Sequence, residues 1–561
     1  MLRRYRWPLL IALVGLALVL GILLAQSPVQ SPDSPQPVSG GVYHEAVIGT
    51  ISRLNPILDD YNQVDRDVDQ ILYRGLIQFD THGFPQPDLA ESWAVSADAT
   101  LYSFKLREDA VWHDGEPVVA DDITFTFSKF QDEDYPGPAD LHALWSEVKI
   151  VKLDDLSVQF QLSEPFAPFI DYLAVGLLPE HLLRGVSAGE LVDHPFNLQP
   201  IGTGPFKFDR FLVDGDEIKG IRLVAFDDFY ADRPFLDEIE IHLVPDEPAA
   251  WDSYSLEEVQ GISNVDKTIL ADVLSDSNLN LHSARLPQFG IVFLNLKHPE
   301  KTFFADKSVR QALMLAINRQ FIIDQVFDSQ AIIPNGPILP GTWAHADALN
   351  PLPYDPQAAM DLLDDQGWVL PSGASTTDPD VVRSLEDQTL DFRLAYPDDA
   401  VHARIAQTLQ EYWQAIGVRV ELAPEKAEDL LETYLEPREF EAVLTELDLG
   451  PYLDPDPYPF WHDSQSETGQ NYSGFSDRNI GIWLEKARTT PDFITRTGLY
   501  ENFQYRFQDQ IPALLLYVPV YNFAIHSQIL GVSIGPLSDA SQRFTNVNDW
   551  YIQARRREIS Q

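Results

Sequence analysis

Apolar and polar side chains alternate with period two in several short stretches of the chain. Tyr102, Phe104 and Leu106 fall on one side while Ser103, Lys105 and Arg107 fall on the other, which predicts a half-buried strand. The segments 157–162 (SVQFQL) and 238–244 (EIEIHLV) repeat the pattern. Elsewhere the apolar period is that of a helix. Ile123, Phe127 and Phe130 share one face of a helix that starts beyond Pro117, with Asp121 and Asp122 holding its N-terminus by charge. A helix from about Gln63 ends in the run 71–76 (ILYRGL). Val309, Ala312, Leu313, Ala316 and Ile317 line another behind an Asp306 N-cap. Asp355 and Pro356 open a helix with Ala359, Leu362 and Leu363 inside, and Gly367 closes it. Val401, Ile405, Leu409, Trp413 and Ile416 form a further face, followed by Gly417 and a strand over 418–422. Strands alternating with helices in this way predict an α/β architecture.

The ends depart from that pattern. Arg3, Arg4 and Arg6 precede an apolar, uncharged run from Leu9 to Ala25. This is the layout of an export signal or of a membrane anchor whose following chain lies outside the cytoplasm. Leu23 spoils the small-residue cleavage site at Leu23-Leu24-Ala25, so an uncleaved anchor is favoured over release after cleavage. Residues 26–41 (QSPVQSPDSPQPVSGG) predict an extended tether, and a folded body begins at Val42. The apolar run 286–296 (LPQFGIVFLNL) marks a crossing into a second lobe, and 511–519 (IPALLLYVP) marks a return. The domain division is therefore 1–25 anchor or signal, 26–41 linker, 42–285 first lobe with a subdomain inserted at about 80–200, 286–516 second lobe, and 517–561 return to the first lobe.

Composition narrows the partners. At 561 residues the chain is too long for one core. A net charge of -47 argues against nucleic acid and against binding to anionic membrane surfaces, which need basic patches. With no cysteine there is no disulfide, no thiolate chemistry and no lipid tether on a cysteine.

One ordered series of fragments resembles a known family. Ala90-Glu91-Ser92-Trp93, Phe104-Lys105-Leu106-Arg107, Trp112-His113-Asp114-Gly115-Glu116-Pro117 and Ala120-Asp121-Asp122 follow one another at the spacing of the family 5 extracellular solute-binding proteins. Pro200-Ile201-Gly202-Thr203-Gly204-Pro205-Phe206 resembles that family's conserved-type turn, and the helix opening at Asp306 and the loop Asp454-Pro455-Asp456-Pro457 also resemble family blocks. The resemblance implies a two-lobed fold of the periplasmic-binding-protein type (type II, cluster C). It implies a receptor that closes its lobes on a peptide-like solute and hands it to the permease and ATPase subunits of an ABC importer. Oligosaccharides, opines and metal chelates are the alternatives within the family, and a sensor on the same fold is the alternative outside transport.

No catalytic constellation is legible. There is no His-Glu-x-x-His pair, no Gly-x-Ser-x-Gly elbow and no Gly-x-Gly-x-x-Gly after a strand. The glycines of 202–204 lack the Gly-Lys-Ser/Thr of a phosphate loop and read as a structural turn. His113-Asp114 reads as a turn pair and not as half of a catalytic pair. The 13 histidines form no ligand cluster in sequence, and neither a metal nor a cofactor is expected. The candidate ligand contacts come from the resemblance. Thr50, Ile51 and Ser52 correspond to the cleft-rim strand of the first lobe. Peptide-binding relatives anchor the ligand's amine on an Asp four residues before the Pro of the Asp-Pro loop. Here that position holds Leu453 or Pro451, so Asp448, Asp454 and Asp456 are the substitutes. Tyr458, Trp461 and Tyr517 are the aromatic candidates for stacking.

Overall fold

The computed structural model describes residues 37–376, 378 and 380–553. The basic flank, the apolar run 9–25 and most of the 26–41 tether therefore lie outside the described residues. Among the described residues no helix is long and apolar enough to cross a membrane.

The alternating segments become strands, 238–244 in a mixed sheet of 12 strands that is the largest among the described residues. Its organising member is the long strand Ala513–His526. The first part of this strand pairs antiparallel with Gln288–Leu294, Phe293 facing Ala513 and Gly290 facing Tyr517. Its last part pairs with Leu279–Arg285, Arg285 facing Val520 and Leu279 facing His526. The two lobes are thus joined by this strand and by the Leu286-Pro287 connection. Beyond the strand on one side lie Ala442–Asp448, Asp391–Pro397 and Arg419–Glu425, and on the other Val42–Ile48, Glu238–Val244, Glu217–Ala225 and Phe206–Asp214. The two-lobed α/β architecture expected from the sequence is the one observed.

The run 286–296 lacks polar alternation for a physical reason. Val292 and Leu294 pack into one core with Ile405 and Trp413, while Phe289, Ile291 and Phe293 pack into another with Trp461 and Phe507. A strand covered on both faces reads as a continuous apolar segment.

The subdomain has its own four-stranded sheet, ordered Ala90–Val95, Leu101–Leu106, Ser157–Leu162, Val148–Lys152. Tyr102, Phe104 and Leu106 are its buried positions. The helix Ala120–Phe130 packs on it, with Phe127 stacked on Trp145 at 4.6 Å between ring centroids. Its N-terminus is held differently from the expectation. Asp122 is buried and acts by hydrogen bonds: its carboxylate accepts from Val119 N at 2.9 Å, Glu180 N at 2.9 Å and Trp112 Nε1 at 3.2 Å. Burial raises its pKa against these donors, so bare charge is not what holds this end.

His113 joins two of the family blocks. Gly202 N donates to its Nδ1 at 3.1 Å, which leaves the proton on Nε2 to donate to Gly204 O at 3.0 Å. Burial lowers its pKa to about 4, so the ring is neutral. The turn it clamps lies against the end of the helix Gln63–Leu72. A Cβ on Gly202 would sit 1.9 Å from Leu72 O, and one on Gly204 2.2 Å from Ile71 O. Only glycine permits that approach.

Candidate functional site: the crevice between the lobes

The helix Gln63–Leu72 turns three buried aspartates toward the interior, and their fates differ. Asp65 accepts from Ser52 N and Arg53 N, each at 2.8 Å. Asp67 pairs with Arg543, whose Nη2 also lies 2.8 Å from Glu45 Oε1. Asp69 is 3% exposed, and its carboxylate oxygens have no well-formed hydrogen bond, only a weak contact from the Asn55 N–H. A poorly partnered buried carboxylate is costly. Burial first, and then the charges of Asp59 and Asp65, hold the Asp69 pKa well above the usual carboxylate range.

Asp69 lines a cavity of about 330 Å³ between the lobes. The first lobe supplies Asp59, Tyr73, Asp171 and Tyr172 to its wall, the second supplies Pro451, Tyr452 and Leu453, and the segment 533–546 closes a third side. Asp59 is likewise raised well above the usual range, by burial and by the adjacent Asp60 charge. The volume is in the range of small-ligand sites.

Asp171 fastens the lobes together across this cavity. Its Oδ2 accepts from Leu453 N at 2.8 Å and Asp454 N at 2.6 Å. Burial and the neighbouring Asp454 charge push its pKa up to about 8. Tyr172 meets Tyr452 beside it with 4.4 Å between ring centroids. Further out, Trp343 N donates to His82 O at 2.9 Å, and Phe84 packs edge-on against Phe493. The lobes therefore meet across the crevice.

A smaller void at the crossing continues the same crevice, because Tyr452, Leu453, Pro536 and Leu537 line both. Its charged wall is Arg285, the last residue of the strand Leu279–Arg285. The Arg285 guanidinium pairs with no carboxylate among the described residues, its Nε is buried without a hydrogen-bond partner, and burial lowers its pKa. It packs over Gly341, where a Cβ would come within 2.7 Å of Nη2.

The residues expected from the resemblance occupy other positions. Thr50 and Ser52 are exposed and Ile51 half-buried, and all three stand outside both voids. Asp448 is exposed and accepts from Gly450 N at 2.8 Å in a turn. Asp454 lines the smaller void, but its carboxylate is held by Arg496. Asp456 is paired with Arg488 at 2.6 Å. Tyr458 opens a short helix, Tyr458–Trp461, where an extended loop was expected, and its ring stacks on His462 at 4.1 Å. Trp461 is a core residue against Phe507, and Tyr517 donates to Glu446 Oε1 at 2.8 Å from a buried position. Asp59, Asp69, Asp171 and Arg285, which line the two voids, are not among the residues expected from the sequence. The sequence signal for Asp69 is a third aspartate on one short helix, but nothing local distinguishes it from Asp65 and Asp67.

Two α/β lobes sharing a sheet, with a charged crevice enclosed between them, define a solute-binding receptor. The chain belongs to the bacterial extracellular solute-binding proteins, family 5, whose sequence model (described as the family's middle part) matches residues 85–470. It is 28% identical over 503 residues to the dipeptide-binding protein of Escherichia coli K12, covering 85% of this chain and 89% of that one. Among solved structures it resembles the oligopeptide-binding protein AppA of Bacillus subtilis in complex with a nonapeptide, at 26% identity and a TM-score of 0.64, over 92% of this chain and 100% of that one. It shares its fold with HbpA2 of Haemophilus parasuis at a TM-score of 0.79 and 22% identity, again over 92% and 100% of the two chains.

Proposed function

We propose that this chain is the receptor of an ABC importer and that it captures a short peptide with free termini in the crevice between its lobes. The observation that carries this reading is a pair of poorly satisfied ionisable groups of opposite type lining two adjoining voids of one crevice. Asp69, with Asp59 and Asp171 nearby, calls for a cation, and Arg285 calls for an anion. A zwitterion supplies both, and each charge-assisted hydrogen bond it makes is worth more than a neutral one. An uncharged oligosaccharide would leave both groups unpaired and is disfavoured. The names of the relatives support a peptide as the zwitterion.

Closure gives such a receptor its signal. A ligand touching both lobes stabilises the closed form, and a permease that prefers this form samples loaded receptors. The basic and apolar N-terminal pattern supports attachment at the outer face of the membrane, from which the 26–41 tether would present the body to the permease and its ATPase.

The test is a thermal-melt and calorimetric panel on the purified protein. Free di- and tripeptides should raise Tm and bind, whereas the same peptides N-acetylated or C-amidated should bind at least about tenfold more weakly, one lost charged contact being worth about 1.5–3 kcal/mol. Equal binding of blocked and free peptides, or no binding of any peptide, overturns the reading.

A further inference from the structure

The two parallel strands Val42–Ile48 and Glu238–Val244 bring three ligand-type side chains to one face of the first lobe's sheet. His44 lies opposite Glu240, and Ala46 lies opposite His242, so the alternation of the strands puts His44, Glu240 and His242 side by side. His44 Nδ1 is 3.2 Å from His242 Nε2 and 3.2 Å from Glu240 Oε2, and His242 Nε2 is 3.6 Å from the same Glu240 oxygen. Their side chains are 27%, 16% and 32% exposed, so the cluster is sheltered yet reachable from solvent.

From these distances we propose that His44, Glu240 and His242 form a binding site for a divalent transition-metal ion of the zinc type, with a fourth position open to water. Zinc bonds nitrogen and carboxylate oxygen at about 2.0–2.1 Å, and a tetrahedron of that size has edges of about 3.3–3.4 Å. The triangle of 3.2, 3.2 and 3.6 Å is such a face. Protons satisfy it less well. A proton on His44 Nδ1 can join only one of its two neighbours, and with both facing nitrogens protonated the two N–H groups can point at Glu240 Oε2 but leave the 3.2 Å nitrogen–nitrogen approach without a bond. A metal accepts all three lone pairs at once.

The surroundings favour the same occupant. Arg222 approaches the other Glu240 oxygen, with Nε 4.0 Å from Oε1, and its Nη2 pairs with Glu238. This leaves Glu240 Oε2 turned to the histidines. The backbone of His44 is fixed by its N–H, which donates to Gln260 Oε1 at 2.9 Å. Two histidines and one carboxylate with an open position suit zinc better than calcium or magnesium, which take oxygen ligands. None of the three residues lines the crevice between the lobes, so this site is independent of solute capture. Its ion would tie the first strand of the folded body to its parallel neighbour.

The test uses the full chain, stripped with chelator and titrated with Zn²⁺ by calorimetry, with Co²⁺ as a visible probe. One equivalent of Zn²⁺ should bind and raise Tm by mass action. Co²⁺ should give the intense visible bands of a four-coordinate ion with nitrogen ligands. His44→Ala and His242→Ala should each weaken Zn²⁺ binding by at least about tenfold, the lower end of what losing even an indirect ligand partner costs. Glu240→Gln should weaken it in the same direction, and the metal-free Tm of each variant reports its folding. Zn²⁺ binding of the same strength in the His44→Ala/His242→Ala double variant would assign the ion to surface carboxylates and overturn the proposal. Weak, octahedral-type Co²⁺ absorption in the unaltered chain would overturn it without any variant.

Discussion

Arg496 holds Asp454 in a nearly dry pocket. Nη2 donates to Oδ1 at 2.7 Å, and Nη1 lies 2.6 Å from Oδ2 in ionic contact without hydrogen-bond alignment. The two side chains are 1% and 3% exposed. The relationship decides what this aspartate does: its charge is spent on an internal arginine, while its backbone N–H holds Asp171 of the opposite lobe.

Asp454→Asn should therefore act on stability. Removing one partner of a buried pair leaves an uncompensated charge and costs about 3–5 kcal/mol. Urea unfolding measures this. A variant as stable as the parent that has lost only ligand affinity would show instead that Asp454 is a ligand anchor.

Asp69→Asn should have the opposite signature. Asn replaces a buried carboxyl whose ionised form burial already disfavours, so the unliganded protein should melt no lower than the parent, while affinity for a ligand bearing a free amine should fall at least about tenfold, or about 1.4 kcal/mol. Melting curves and calorimetry on one preparation separate the two effects. Unchanged peptide affinity would remove Asp69 from the site.

Closure should respond to pH through Asp171. Its pKa is about 8 in the closed form and near the ordinary carboxylate value of about 3.9 once opening exposes it to water. The closed form binds more protons between these values, so its advantage is complete below about pH 4 and is lost as pH rises through about 8. Small-angle scattering of the unliganded protein should show expansion as pH rises from about 4 to about 8, and no further change above that. Asp171→Asn should flatten this response, and a radius of gyration independent of pH would contradict the assignment.

Gly202→Ala tests the turn that resembles a phosphate cradle. The added Cβ would lie 1.9 Å from Leu72 O, which cannot move without breaking the end of the helix that carries Asp69. The loss of stability should reach or exceed the about 1–3 kcal/mol of core overpacking. A neutral outcome by urea unfolding would show that the helix end yields.

Much of the fold was legible because local rules and global packing agree. Tyr102, Phe104 and Leu106 alternate in the sequence and are buried in the strand. Asp306 and Asp355 cap the helices that follow them, as their positions predict. The helix expected to run on from Asp306 through Arg319 instead breaks at Ala316, and Asn318 caps a second one. The candidate site was less legible, because a charged residue in a loop looks the same whether it faces a ligand or an internal partner. Asp456 is held by Arg488, thirty-two positions away, and no local pattern announces that pairing.

By itself, then, the sequence determined the α/β class, the two lobes and the family, since these follow from periodicity, caps and ordered motifs along the backbone. Tertiary structure decided which charges are satisfied. Asp65, Asp67 and Asp69 are alike on one short helix, and only the packing of distant segments gives the first two their partners and leaves the third facing the crevice. The same holds for Arg285 between the lobes and for His44, Glu240 and His242, which parallel strands nearly two hundred residues apart bring within 3.6 Å. Electrostatic satisfaction depends on distances in space, and the order of residues along the chain does not specify them.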